Sequence, residues 1–85
     1  MNLVLNAICD KTRFLLLEKI SQGEICACKL PQYAKVSQPA VSQHLKILLD
    51  SKLVKMKKDG KKRLYSISKI GITILRDVSS WNKSI

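Results

Sequence analysis

The chain has 85 residues, and 16 Lys and Arg against 6 Asp and Glu give it a formal net charge of +10. That length makes one small domain, 1–85, with too little chain for an enzyme pocket; it carries no phosphate loop and no acid–base constellation, and no apolar run near the roughly 20 residues that span a bilayer. A charge so one-sided implies a polyanionic partner, nucleic acid before an anionic membrane surface.

A core this small also predicts dimerisation. Without a secretory signal pattern the expected location is the cytoplasm. Three cysteines, two of them one residue apart, argue against a disulfide framework and for free thiols in a reducing compartment.

Taken in chain order, residues 2–8 hold Leu3, Val4, Leu5, Ala7 and Ile8, a short apolar helix or arm that needs covering. Asp10 is a favoured N-cap for a helix over 11–21, with Leu15, Leu16 and Ile20 as its inward stripe, and Ser21-Gln22-Gly23 ends it. Glu24-Ile25-Cys26-Ala27 alternates like a short strand. Pro31 is tolerated only in a first helical turn, so the next helix begins near Cys28 or Lys29 and runs to Ala34, with Cys28 at its N-terminus. Lys35-Val36 is then the short turn of a helix-turn-helix.

The segment 36–48 is the second helix of that unit. Ser37 is its N-cap and Pro39 falls in its first turn. At about 100° per residue, Val41, Leu45 and Leu48 share an inner side, while Pro39, Ser42, Gln43 and Lys46 face outward. Short amides and hydroxyls near a helix start suit base edges and phosphates in a major groove: Gln43 can pair bidentately with adenine, and Lys46 with the helix N-terminus suits phosphate.

Beyond Lys52, the runs 53–58 and 61–67 meet across Asp59-Gly60, a strong hairpin signal that sets Val54 opposite Tyr65 and Met56 opposite Arg63. Its tip carries Lys57, Lys58, Lys61, Lys62 and Arg63. On an isolated ribbon these would be a solvated edge; behind a recognition helix they read as a wing on the phosphate backbone or minor groove. A membrane-surface peptide would instead carry its cations on a helix face. The closing helix over 70–83 repeats Ile74, Val78, Trp81 and Ile85 at helical spacing, the pattern of an intersubunit seam.

The order of elements is that of a winged helix-turn-helix, mainly α with a small β-hairpin. Three blocks, Asp10-Lys11-Thr12-Arg13, Glu24-Ile25-Cys26-Ala27-Cys28-Lys29-Leu30 and Ser37-Gln38-Pro39-Ala40-Val41-Ser42-Gln43-His44-Leu45-Lys46 leading to Leu53-Val54, closely resemble the arsenical-resistance-repressor (ArsR/SmtB) family of metal-responsive regulators. The resemblance implies a homodimer joined through its first and last helices, with Leu3, Val4, Ile74, Val78, Trp81 and Ile85 at the interface. It implies an inverted-repeat DNA operator, with recognition helices about 34 Å apart. DNA contacts map by it onto Gln38, Ser42, Gln43, His44 and Lys46, beside Ser37, Pro39 and the wing.

By the same resemblance Cys26 and Cys28 are metal or metalloid ligands, and a helix N-terminus with Lys29 nearby favours the thiolate that binds soft ions. Lys29 suits a neutral three-thiolate As(III) or Sb(III) site better than Cd(II) or Pb(II). With Pro31 where a third thiol often stands in such sensors, Cys9 is the candidate third thiol. A helix of about 11 residues at about 1.5 Å each separates Cys9 from Cys26, so it would reach them across the dimer or after rearrangement of the arm. Asp77 to Lys83 contains no histidine, so a zinc site on the last helix is not expected. The function implied is a dimeric, sequence-specific DNA-binding repressor released by a thiophilic ion, with As(III) or Sb(III) as inducer. A thiol redox or persulfide sensor pairing Cys9 with Cys26 or Cys28, and a ligand-independent winged-helix regulator, are the alternatives.

Overall fold

The computed structural model describes residues 10–84, with side chains as far as Asp77. Leu3, Val4, Cys9 and Ile85 lie outside the described residues, as do the side chains of Val78 and Trp81. Helix α1 spans Lys11–Ser21, and Asp10 caps it with a carboxylate oxygen that accepts the Arg13 backbone N–H at 3.0 Å. Its fully buried residues are Leu16, Leu17 and Ile20. The expected Leu15 is only half-buried. The helix is packed from several sides, by the helices that follow and by the sheet, so its apolar stripe is wider than a single i, i+4 row.

Strand β1 is short, Ile25–Cys26, and the chain turns from it through a 3-10 turn, Ala27–Lys29, into α2, Leu30–Ala34. Pro31 sits in the first turn of α2, as its missing N–H requires. Lys35 ends α2 with a left-handed φ of 59°, which makes the tight corner of the helix-turn-helix. Helix α3, Gln38–Asp50, follows at once. The Ser37 hydroxyl accepts the Ala40 N–H at 3.3 Å, and Val41, Leu45 and Leu48 are the buried side. At its other end the buried Ser51 hydroxyl donates to the carbonyls of Ile47 and Leu48, satisfying groups that would otherwise be orphaned.

Strands β2, Val54–Asp59, and β3, Lys62–Ile67, form the hairpin, and β1 adds to the free edge of β3, giving the order β1-β3-β2. The register differs from the expected one: Val54 pairs with Ile67, Met56 with Tyr65 and Asp59 with Lys62. The central turn residues are therefore Gly60 and Lys61 rather than Asp59 and Gly60. Gly60 takes the left-handed φ of 62°, cheap only for a residue without Cβ, and Asp59 stays in the strand facing an opposite charge. A slip of two residues leaves every side chain on its own face, so the inward pattern of Val54 and Tyr65 survives the change of partners.

Helix α4, Lys69–Ser84, opens on Ser68, whose hydroxyl accepts the Gly71 N–H at 3.0 Å and donates to the Leu53 carbonyl at 2.9 Å. Gly71 is buried against that carbonyl and Ile67, where a Cβ would collide with both. The core formed by all these elements is a layer of Leu16, Leu17, Ile20, Leu30, Val41, Leu45, Leu48, Leu53, Val54 and Tyr65. It fixes α3 and the base of the hairpin against α1.

Candidate nucleic-acid interface and thiol pair

Burial of Val41, Leu45 and Leu48 leaves the other side of α3 outward: Gln38, Pro39, Ser42, Gln43 and Lys46 are all exposed. Ser37 is exposed too, but its hydroxyl is engaged as the cap. His44 is half-buried, and its Nδ1 lies 3.4 Å from Nη1 of Arg13, which is also 3.9 Å from the Asp10 carboxylate. The histidine thus leans on α1 and helps to fix α3 to it. The Arg13 backbone N–H holds the Asp10 carboxyl below its ordinary value; burial opposes it, and the charges of Arg13 and His44 add smaller downward effects.

The wing cations Lys57, Lys58, Lys61, Lys62 and Arg63 are all exposed. Lys57 turns back toward Glu24 at 3.5 Å, so part of its charge is spent inside the fold. Lys58 and Arg63 stand directly opposite each other, and side-chain alternation puts them on the same face as Met56 and Tyr65. Like charges facing across a ladder destabilise it. Burial holds the Tyr65 phenol above its ordinary value, hence neutral.

Cys26 is half-buried and Cys28 exposed. Their sulfurs are in close contact, with Cα atoms 5.2 Å apart. An unbroken strand would hold residues i and i+2 farther apart, at about 3.3 Å of rise per residue; the 3-10 turn beginning at Ala27 closes that gap. The same turn directs the Cys28 backbone N–H at Cys26 Sγ, 3.3 Å away. As thiolates, the pair is a two-donor soft site suited to thiophilic ions. No third His, Cys, Asp or Glu completes a metal-binding group with them among the described residues.

The pair forms a wall between two clefts. One, of about 300 Å³, is bounded by Gln38, Ser42 and Leu45 of α3, by Lys61, Lys62 and Arg63 of the wing, and by Tyr65. The other, of about 740 Å³, lies toward α1 and α2, where the Lys19 ammonium sits 4.9 Å from the centre of the Tyr33 ring. Sequence reading finds the cysteines, the α3 face and the wing separately; that one cleft joins all three is visible only in the fold.

Comparison with known proteins gives this arrangement a family. Residues 10–56, more than half of the chain, match the family described as "Bacterial regulatory protein, arsR family". The chain belongs to the arsR family. It is 38% identical over 68 residues to an arsenical resistance operon repressor of Staphylococcus aureus, a match covering 80% of this chain and 65% of that protein. It is 43% identical over 61 residues to a probable mercury resistance operon repressor of Streptomyces lividans, covering 72% of this chain and 49% of that one. The chain thus spans a half to just under two thirds of these curated relatives.

Among solved structures, NolR of Sinorhizobium fredii superposes with a TM-score of 0.83 at 30% identity, covering 92% of this chain and 79% of that one. These arsR-family relatives are transcriptional regulators, not enzymes. Their shared winged-helix architecture is the one described above. The matched segment contains the thiol pair and the whole of α3, and stops at Met56 inside the hairpin.

Proposed function

We propose that this arsR-family protein is a DNA-binding transcriptional repressor, homodimeric on an inverted-repeat operator, whose release is triggered by a thiophilic metal or metalloid at Cys26 and Cys28. One observation carries the reading: the thiol pair lines the same cleft as Gln38 and Ser42 of α3 and Lys61 to Arg63 of the wing. The resistance operons named for the relatives above support a metal or metalloid inducer, with As(III) or Sb(III) ahead of Cd(II) and Pb(II), because the cation Lys29 beside the pair suits a neutral three-thiolate site better than a divalent ion. Cys9 is the proposed third thiolate. No described helix is long and apolar enough to cross a membrane; the proposed partner is double-stranded DNA and the proposed location the cytoplasm.

The exposed face of α3 would enter a major groove, with Gln38, Ser42, Gln43 and Lys46 at bases and phosphates and the wing on the flanking backbone. His44 then contributes from the rim of that face by steadying α3 against α1. Leu3, Val4, Ile74, Val78, Trp81 and Ile85 remain the proposed seam. Ile74 also packs partly on the core of its own subunit, and Ile70 and Ile72 add exposed apolar surface to α4.

Release follows from differential binding: an occupant at the pair must fit the DNA-free form better than the DNA-bound one. Cys28 precedes α2 by two residues and α2 is the helix before α3, so a ligand that draws the two sulfurs into its own geometry acts on the helix-turn-helix at its root. The close approach of the Cys26 and Cys28 sulfurs supports a second reading, in which oxidation of the same pair is the signal.

The test is fluorescence anisotropy of a labelled inverted-repeat duplex with the reduced protein at fixed salt, titrated with arsenite and separately with peroxide. Release by arsenite in the wild type, absent in Cys28→Ser, is the expected result. Release by peroxide alone selects the redox reading, and DNA binding indifferent to both removes the cysteines from the mechanism.

A further inference from the structure

We infer that a backbone phosphate of the bound DNA sits in the cleft between the thiol pair and the wing, so that an occupant of Cys28 and the DNA exclude each other directly within one subunit. The inference rests on the reading of this chain as a DNA-binding repressor with its effector site at Cys26 and Cys28, and it names how that site is coupled to the DNA. Three features of the cleft carry it. Gln38 and Ser42 of α3 stand on one side and Lys61, Lys62 and Arg63 of the wing on another, the lining holds these cations and no carboxylate, and the thiol pair belongs to the same lining.

DNA that meets both α3 and the wing must cross the space between them. With a helix in the major groove, the strand at the edge of the groove is what crosses there, and it turns its phosphates toward the protein. Gln38 and Ser42 are one helical turn apart on the exposed face of α3, so an amide and a hydroxyl can donate to phosphate oxygens while the wing cations face the same charge.

Cys28 is exposed, so a group carried on its Sγ enters the space that the phosphate needs. At about 300 Å³ the cleft is at the lower end of small-molecule sites and leaves little room beside such a group. Exclusion of this kind has a property that reshaping of the helix-turn-helix lacks: the two sulfurs need not be bridged. A group bonded to Cys28 alone is sufficient. Its charge matters as well, because an anionic group also neutralises cations that would otherwise meet phosphate.

The experiment takes the intact chain as the Cys9→Ser and Cys26→Ser double variant, in which Cys28 is the single thiol, and alkylates it with iodoacetamide or with iodoacetate. In each reaction the thiolate displaces iodide from the reagent's methylene carbon, leaving a neutral or an anionic adduct of nearly equal size. Affinity for the inverted-repeat duplex is read by fluorescence anisotropy against the unmodified double variant, with the urea midpoint of each form as the check on folding. The expected result is binding about tenfold weaker with the neutral adduct and about threefold weaker again with the anionic one, the second step shrinking as salt is raised. In the reduced wild type, duplex at about ten times its Kd should slow carboxamidomethylation of Cys28 about tenfold, because the free fraction alone reacts. That rate is read by fragmentation of the tryptic peptide Ile20–Lys29, and it decides the matter by itself if the double variant does not fold.

Adducts that bind DNA like the unmodified protein, adducts that weaken binding equally despite their charge, or a Cys28 alkylation rate that duplex does not lower overturns the inference. If arsenite still releases DNA in that case, the effector reading stands and its coupling runs through the helix-turn-helix. If the adducts block DNA and arsenite does not, the effector reading falls and the cleft keeps its phosphate.

Discussion

The two halves of the candidate DNA surface are built in opposite ways. Helix α3 is a core element whose inner side, Val41, Leu45 and Leu48, is almost wholly withdrawn from solvent, so its outward residues are held by the same contacts that hold the fold. The wing is anchored at its base by the buried Val54 and Tyr65, by Ile67 on the core and by the pairing of β1 with β3; from Lys57 to Arg63 it is exposed chain, with Lys58 facing Arg63. A scaffold that reads base edges must be positioned closely. A ribbon that meets phosphate needs charge and reach more than fixed geometry, and it tolerates a ladder weakened by repulsion.

The sharpest way to break this comparison is to weaken the two halves separately. Leu48→Ala removes a fully buried side chain shared by α3 and the core and should cost about 2–5 kcal/mol, read as a lower urea midpoint with unchanged slope. In so small a domain that approaches the whole stability. A loss below about 1 kcal/mol would mean that α3 is not the rigid half.

Next in size is the turn of the wing. Gly60→Ala forces a Cβ into the left-handed region and should cost about 1–2 kcal/mol, although nothing lies within 4 Å of the new atom. The same experiment tests the register. Asp59→Ala gives up only its cross-strand pairing with Lys62, about 0.2–1 kcal/mol. A larger effect at Asp59 than at Gly60 would return the turn to Asp59-Gly60. Ser37→Ala, which removes the hydroxyl that caps α3, should cost about 1 kcal/mol and weaken operator binding in parallel.

These contrasts also explain what could be read from the sequence. The caps Asp10 and Ser37, the turn-limited start of α2 at Pro31, and the inner side of α3 are local choices, written within a few residues of where they act. The register of the wing was not legible, because Asp59-Gly60 and Gly60-Lys61 can both close a two-residue loop and both keep Val54 and Tyr65 inward. The pairing of β1 with β3 and the contact of His44 with Arg13 join residues more than 30 positions apart, beyond any pattern in a single segment. The closeness of the two sulfurs was missed for a subtler reason: the spacing of Cys26 and Cys28 was legible, but the 3-10 turn that shortens it was not.

The smallest effect on stability belongs to the residue that separates folding from function most cleanly. Lys58 lies opposite Arg63, is exposed, and has no pairing partner that favours its charge in the ladder. Lys58→Gln keeps the length of the side chain and removes the repulsion, so the urea midpoint should hold or rise, by no more than about 0.5 kcal/mol. If the wing lies on phosphate, operator affinity must fall at low salt while stability does not, and the slope of log affinity against log salt should shrink by about 0.9 for the lost contact in each subunit. Lys57→Gln is the matched control: its ammonium already faces Glu24, so its share of the slope should be smaller. Equal slopes for wild type and both variants would reduce the wing to a solvated edge and leave DNA recognition to α3 alone.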